Sequence, residues 1–100
     1  MDTLRETLIQ ELDKYTGKAF NGYSYLTASA DQSHFVITSV GYVQEQRIVN
    51  TAIIVQIVNG KILIDRDIYD KQLVDALLQV GIPREKIILA YAGEPVPTAV

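Results

Sequence analysis

The strongest indication of the fold lies in residues 53–65, Ile53-Ile54-Val55-Gln56-Ile57-Val58-Asn59-Gly60-Lys61-Ile62-Leu63-Ile64-Asp65. Asn-Gly between two apolar runs is a strong hairpin signal, because a type I′ turn needs positive φ at both central residues. The first run begins at Arg47, and its centre is apolar on both faces, as in a strand inside a sheet. The sequence therefore predicts neighbouring antiparallel strands over residues 47–58 and 61–65.

Two further β-rich segments precede this hairpin. The larger side chains of the first alternate with smaller ones, at Tyr23, Tyr25 and Thr27. The second, residues 34–43, is rich in β-branched and aromatic residues. Polar residues at 31–33 and 44–46 predict the turns between these strands. Residues 18–22 are predicted to form a loop.

A helix is predicted on either side of these strands. Apolar residues recur at helical spacing over residues 4–15 and again over residues 73–80. Asp67 or Asp70 is expected to open the second helix, and the segment Gly81-Ile82-Pro83 ends it.

A last strand is predicted over residues 87–91, followed by a tail over residues 92–100 that has no periodicity. The resulting order is α-β-β-β-β-α-β. Grouped strands with a helix at either end predict a two-layer α+β fold, with helices on one face of a largely antiparallel sheet. The length of 100 residues predicts a single domain spanning residues 1–100, with a core over about residues 3–91.

Composition argues against several classes of function. The chain has no cysteine, which excludes disulfides, thiolate nucleophiles and zinc–thiolate sites. It has no apolar run of the roughly 18 residues that a membrane span needs, and Met1-Asp2-Thr3-Leu4-Arg5-Glu6 does not resemble a secretion signal. We therefore expect a cytoplasmic protein without membrane contact. The net charge of −3 and nine scattered basic residues argue against direct binding of nucleic acid.

Catalytic patterns are absent from the sequence. The single histidine, His34, has no recognisable nucleophile or orienting group, and there is no phosphate-binding glycine loop. No lysine has an acidic residue two positions before it, the pattern of restriction-type nucleases. Asp65, Asp67 and Asp70 lack the spacing of a calcium loop, and we interpret them as a solvated turn with a helix cap. We expect no enzymatic activity, cofactor or metal.

The six tyrosines suggest an interaction surface instead. Tyrosine and arginine are enriched at protein interfaces, although tyrosine is also common in strands and at core edges. The candidate surface consists of Tyr23, Tyr25, Tyr42, Arg47, Arg84 and Tyr91. An open sheet edge also favours pairing with another chain, so we expect a homo-oligomer, with a dimer favoured.

Four blocks carry a resemblance to a known family. Val40-Gly41-Tyr42 resembles a V-G-W block, Arg47-Ile48 an R-[IV] pair, and residues 58–62 a D-G-K-[IV] hairpin. Residues 77–91 resemble the closing block L-x-x-x-G-[IV]-P-[KR]-E-D-I-[IV]-L-[AG]-[FY]. On these residues the chain resembles the XisI family, the fdxN element excision controlling factors common in cyanobacteria.

The chain departs from this family at three places. Leu63 stands where a tryptophan is usual, and Ile54 and Gln56 lie near positions that typically carry His and Asp. The C-terminal extension is shortened to Gly93-Glu94-Pro95-Val96-Pro97. The resemblance implies a non-catalytic accessory protein that acts by protein–protein binding. It also implies association with a nuclease-like companion, XisH, and with excision of a DNA element by a separate recombinase.

Two other classes of function stay open. In the first, a small enzyme or ligand-binding domain uses His34 with a nearby carboxylate such as Asp31 or Asp65, and it requires a concave pocket around His34. In the second, the chain binds DNA directly, and this requires four basic residues to converge on one face: Arg47, Lys61, Arg66 and Arg84.

Overall fold

The computed structural model describes residues 3–97, so residues 1–2 and the end of the predicted tail, residues 98–100, lie outside the description. The described helices and strands are α1 (Thr3–Asp13), β1 (Gly17–Ala19), β2 (Gly22–Ala28), β3 (His34–Val43), β4 (Gln46–Val58), β5 (Lys61–Asp67), α2 (Leu73–Gln79) and β6 (Ile87–Leu89). Single turns of 3₁₀ helix lie at Arg84–Lys86 and Ala90–Ala92. None of the helices in this described part is both long and apolar enough to cross a membrane.

The six strands form one sheet in chain order, β1-β2-β3-β4-β5-β6. Every neighbouring pair is antiparallel except β5 and β6, which are parallel. The predicted α+β class is therefore confirmed. The hairpin of β4 and β5 turns at Asn59 and Gly60, with φ of 50° and 74°, as the Asn-Gly signal predicted.

Strand β1 corrects the prediction of a loop over residues 18–22. Gly17 pairs with Ser24, and Ala19 pairs with Gly22, around a tight turn at Phe20 and Asn21. Three residues are too few to show a period of two, so this edge strand leaves no signal in the sequence.

The helices cover one face of the sheet and build the core with it. Leu8 and Leu12 of α1, and Leu73 and Leu77 of α2, are fully buried. The strand residues of the same cluster are Phe35, Ile37, Ala52, Ile53, Val55, Ile62, Ile64 and Ile87. This cluster matches the apolar positions that the periodicity assigned to the two helices and the central strands.

Helix α2 begins at Leu73, later than either aspartate predicted to open it. Asp67 nevertheless holds the first turn, because its carboxylate accepts hydrogen bonds from the backbone N–H of Leu73 at 2.6 Å and of Tyr69 at 3.0 Å. A carboxylate at the start of a helix satisfies donors that the helix leaves unpaired. The aspartate therefore acts on the helix from six residues upstream.

Strand β6 ends at Leu89, two residues earlier than predicted, where the chain enters a 3₁₀ turn. Glu94 fixes the following segment, because its carboxylate accepts from the Leu89 N–H at 2.9 Å and pairs with the Arg84 guanidinium. The start of the predicted irregular tail is thereby fastened to the end of the sheet.

A bulge divides the sheet into two parts. Ile37 pairs with Ile53 and Thr38 with Thr51, which leaves Ala52 as an extra residue in β4. Below the bulge, β5 pairs with β4, and the two helices pack on the sheet in the core cluster. Above it, the strands extend beyond the helices that the structure describes, and every residue from 42 to 51 is exposed. We call residues 17–25 and 38–51 the distal sheet. It contributes to a longest dimension of 43 Å, against 27 Å in the other two directions.

Candidate functional site

The outer face of the distal sheet, opposite the helices, is the candidate interaction surface. Side chains alternate along a strand, so the burial of Ile37 in the helix-covered core places Tyr42 on the other face of β3. Pairing of Tyr42 with Arg47 brings that arginine to the same face. Tyr23 and Tyr25 of β2 join them by their pairing with Val40 and Thr38. Four of the six predicted residues thus share one open face.

Contacts between these side chains order the face. The rings of Tyr23 and Tyr25 stack with centroids 6.1 Å apart and planes 27° apart. The Arg47 guanidinium donates to the Tyr23 hydroxyl at 3.4 Å. This hydrogen bond, with a smaller contribution from the Tyr42 hydroxyl, raises the pKa of Arg47 above its ordinary value. The cation is therefore held among the phenol oxygens.

Beneath the tyrosine hydroxyls and the Arg47 guanidinium, this face of the sheet is apolar. Val40 is 1% exposed and lies outside the helix-covered core cluster, although neither α1 nor α2 covers its side of the sheet. Its neighbours across the strands are Tyr23 and Val49. The tyrosines themselves remain 38–44% exposed. Aromatic rings with accessible hydroxyls beside a cation suit a protein interface, because they offer large contact area and hydrogen bonds together.

Arg84 and Tyr91, the other two predicted residues, lie elsewhere. The Arg84 guanidinium donates to the Ile87 carbonyl at 2.7 Å and to the Glu94 carboxylate. The Tyr91 hydroxyl lies 3.3 Å from the Gln72 side-chain oxygen, before α2. Both side chains therefore hold the closing segment against the β6 end of the sheet, away from the distal sheet.

His34 lies exposed at the start of β3 in a polar turn. Its Nδ1 is 2.8 Å from the Ser33 hydroxyl, which donates to Asp31 at 2.7 Å. Hydrogen bonds from the hydroxyls of Ser33 and Ser29 lower the pKa of Asp31 to about 2. The serine stands between the histidine and the acid, so Asp31 does not orient the imidazole directly. His34 lines neither the cleft between the two helices nor the cavity beside the β4–β5 turn.

The four basic residues named for DNA binding do not converge. Lys61 pairs with Val58 at one end of β4, whereas Arg47 lies at the other end of that strand. At about 3.3 Å per residue they are separated by roughly 35 Å. Arg66 lies between them, where its Nε donates to the Thr51 carbonyl at 2.7 Å. Basic residues this far apart do not form one basic patch.

A cleft of about 170 Å³ between the two helices was not foreseen. Its lining includes Glu11, which is buried and pairs with the Lys14 ammonium at 2.9 Å. Tyr15 lines it as well, and its hydroxyl donates to the Lys71 carbonyl at 2.8 Å. Burial, with smaller effects from nearby acids, raises the pKa of Tyr15 to about 12. Helical periodicity assigns Glu11 to the solvent face, and only the packing of α2 reveals its burial.

A second, more open cavity of about 440 Å³ lies where the start of α1 meets the β4–β5 turn and the end of α2. It includes Leu4, Gly60 and Ile82 in its lining. Within residues 3–97, no three acidic or histidine side chains converge as a metal site would require.

Comparison with known proteins gives one family and one fold. The family model described as XisI protein matches residues 2–97. A solved structure of a XisI-like protein from Anabaena variabilis is 23% identical, has a TM-score of 0.65, and is aligned over 87% of this chain and 79% of its own. The fdxN element excision controlling factor XisI from the same organism is 24% identical, has a TM-score of 0.66, and is aligned over 96% and 93%. No curated protein matches the chain.

Proposed function

Because the chain belongs to the XisI family, we propose that it is a non-catalytic accessory protein in the control of DNA element excision. It acts by binding a partner protein. One protein of the same fold is named as an fdxN element excision controlling factor, and that name supports the choice of process. The proposed partner is the nuclease-like XisH companion implied by the family resemblance.

The observation that carries the proposal is the ordered, uncovered face of Tyr23, Tyr25, Tyr42 and Arg47. Three exposed tyrosines and an arginine on one side of a sheet provide the residue types that dominate binding energy at interfaces. The stacked rings and the Arg47–Tyr23 hydrogen bond are formed before binding. Less side-chain entropy is therefore lost when a partner covers the face.

The direct test is binding between purified chain and the XisH-like protein of the same genome. Tyr42→Ala and Tyr25→Ala should each weaken binding by about tenfold or more, as expected for residues at the centre of an interface. Tyr91→Ala is the matched control, because Tyr91 is similarly exposed at 38% but lies by α2. It should leave the affinity within about twofold, since residues outside a contact contribute little.

Two results would contradict the proposal. A wild-type chain that does not bind the companion removes the proposed partner. Equal affinities for wild type, Tyr42→Ala and Tyr25→Ala, with a loss in Tyr91→Ala, would move the interface to the helix α2 side of the molecule.

The non-catalytic part needs its own experiment. His34→Ala should leave companion-dependent excision unchanged, because the imidazole lies in an exposed turn beside a serine rather than in a cavity. Asp31→Asn tests the acid beside it in the same way. Loss of excision in both variants, with companion binding intact, would instead favour the enzyme alternative based on His34.

A further inference from the structure

Within the distal sheet, no residue of 3–97 pairs as a strand with the outer side of β4. Strand β5 pairs with β4 only from Ile53 to Val58. The next contact on that side is the hydrogen bond from the Ile68 N–H to the Ala52 carbonyl at 3.1 Å. Residues 46–50 therefore form an edge, although β4 is an inner strand elsewhere in the sheet.

Hydrogen bonds on β3 show which backbone groups of this edge point outward. The Tyr42 N–H donates to the Asn21 carbonyl at 3.0 Å, and the Tyr42 carbonyl accepts from the Asn21 side chain at 3.1 Å. Tyr42 thus turns its backbone away from its β4 partner, Arg47. In an antiparallel pair that does not exchange hydrogen bonds, both residues direct these groups outward.

Arg47 therefore presents its N–H and C=O at the open side of β4, and the period of two gives Val49 the same direction. The Thr51 carbonyl follows this pattern, because it accepts from Arg66 on that side at 2.7 Å. Thr51 marks the end of the free edge, since the Arg66 side chain already occupies its carbonyl.

Most of the features that usually protect an edge strand are missing here, and Arg47, the only charged residue of the edge, directs its guanidinium to the Tyr23 hydroxyl. Residues 46–50 contain no proline and no lysine, and the bulge comes only at Ala52. Ile48 is 40% exposed and Val49 is 49% exposed. A β-prone edge with exposed apolar side chains is a template for pairing with another strand.

We propose that this edge pairs with the same edge of a second copy of the chain, antiparallel and about a two-fold axis. The register places Ile48 opposite Ile48 of the second copy and Arg47 opposite Val49 of the second copy. Every outward N–H and C=O of Arg47 and Val49 is then paired in both copies. The inference goes beyond the proposed function and does not depend on it.

Neighbouring registers are less favourable. Centring the pair on Arg47 would set two like charges directly opposite each other, which destabilises a strand pair. Centring it on Val49 would require the Thr51 carbonyl that Arg66 already occupies. The Ile48 register avoids both conflicts.

Charge complementarity supports the same register. Glu45, in the β3–β4 turn, falls opposite Thr51 of the second copy. The Thr51 carbonyl accepts a hydrogen bond from the Arg66 side chain of its own copy. The Glu45 carboxylate of one copy would therefore face the Arg66 guanidinium of the other. Isologous pairing repeats this contact on both sides of the axis.

The proposal predicts a mass of twice the 11.1 kDa chain in light scattering at micromolar or higher concentration. Ile48→Lys should raise the dimer dissociation constant by at least about tenfold, because lysine would face lysine across the axis. Ile48→Thr is the control, since it keeps a β-branched residue without charge. Circular dichroism checks that both variants keep the wild-type fold, which the exposure of Ile48 allows.

A double-mutant cycle tests the register independently. Glu45→Gln and Arg66→Gln should each weaken the dimer, and the double variant should lose less than the sum of the two single losses, because both changes remove the same ion pair. Glutamine at position 66 can still donate to the Thr51 carbonyl. A wild-type mass of one chain would overturn the proposal. A dimer unaffected by Ile48→Lys, or single losses that add fully in the double variant, would overturn it as well.

Discussion

Strands β3 and β4 run through two regions of the molecule that differ in what covers them. In the lower region, residues 34–37 and 52–58, alternate side chains meet α1 and α2 and are almost fully buried. In the distal sheet no helix of the described chain covers either face of the same strands, and residues 42–51 are all exposed. The same two strands therefore contribute to the buried core at one end and to an exposed surface at the other. Stability should depend on the lower region, and binding on the distal sheet.

The two phenylalanines of the chain test this difference most strongly. Phe35 is 1% exposed within the core, whereas Phe20 at the tip of the β1–β2 turn is fully exposed. Phe35→Ala should lower the free energy of unfolding by about 3–5 kcal/mol, through lost burial and the cavity left behind. Phe20→Ala should change it by less than about 0.5 kcal/mol.

Urea denaturation followed by circular dichroism measures both values. Comparable losses for the two variants would mean that the distal sheet is as important for stability as the helix-covered core. The comparison between the regions would then fail.

Gly22 and Gly41 form a cross-strand pair in the distal sheet, and substitutions there test whether close approach of the β2 and β3 backbones stabilises this region. Gly22 faces Gly41, and a Cβ added at Gly22 would lie 2.1 Å from the Val40 carbonyl oxygen. The backbones of β2 and β3 would have to move apart, so Gly22→Ala should destabilise the protein by about 1–3 kcal/mol.

Gly41→Ala is the matched control. The nearest atom to its added Cβ is the Asn21 carbonyl oxygen at 4.0 Å, which is ordinary contact. Its effect on the denaturation midpoint should be small beside that of Gly22→Ala. A larger loss for Gly41→Ala would show that close backbone approach does not set the geometry of the distal sheet.

The smallest expected effect is on acid stability, and it concerns the closing segment beside β6, away from the distal sheet. The hydrogen bond from the Leu89 N–H, followed by that from Arg84, lowers the pKa of Glu94. A lowered folded pKa contributes stability above the unfolded glutamate pKa of about 4.3, and this contribution disappears as pH falls through the folded pKa. Glu94→Gln should therefore reduce the urea midpoint slightly at neutral pH.

The difference between wild type and Glu94→Gln should shrink as the pH falls below about 4, since the wild-type carboxyl becomes neutral as well. Glu85→Gln, an exposed glutamate in the preceding 3₁₀ turn, controls for the loss of one charge. A difference between wild type and Glu94→Gln that stays constant down to low pH would contradict the proposed role of the ionised carboxylate.

The parts of the fold that were predicted correctly are those with strong local signals. The Asn59-Gly60 turn and the two amphipathic helices follow from turn chemistry and periodicity. Strand β1 is too short to show a period, and the start of α2 depends on Asp67 reaching forward to Leu73. The buried position of Glu11 depends on how α2 packs on α1. None of these features produces a periodic pattern in the sequence, because they depend on a short strand, on a side chain that reaches forward along the chain, and on the packing of one helix on another.

The candidate surface shows the same division. Tyr23, Tyr25, Tyr42 and Arg47 meet on one face because the period of two and the strand register place them there. Arg84 and Tyr91 were grouped with them by residue type alone, and the structure places them at the closing segment. The free edge of β4 has no sequence signal, because it exists only where β5 ends its pairing.

Amide hydrogen exchange of the chain, with and without its XisH-like companion, tests whether the distal sheet is the binding surface. We expect the companion to slow exchange in the distal sheet, over residues 22–25 and 38–51, and to leave exchange in α1 and α2 unchanged. Slower exchange confined to the helices or β6, with the distal sheet unchanged, would contradict it.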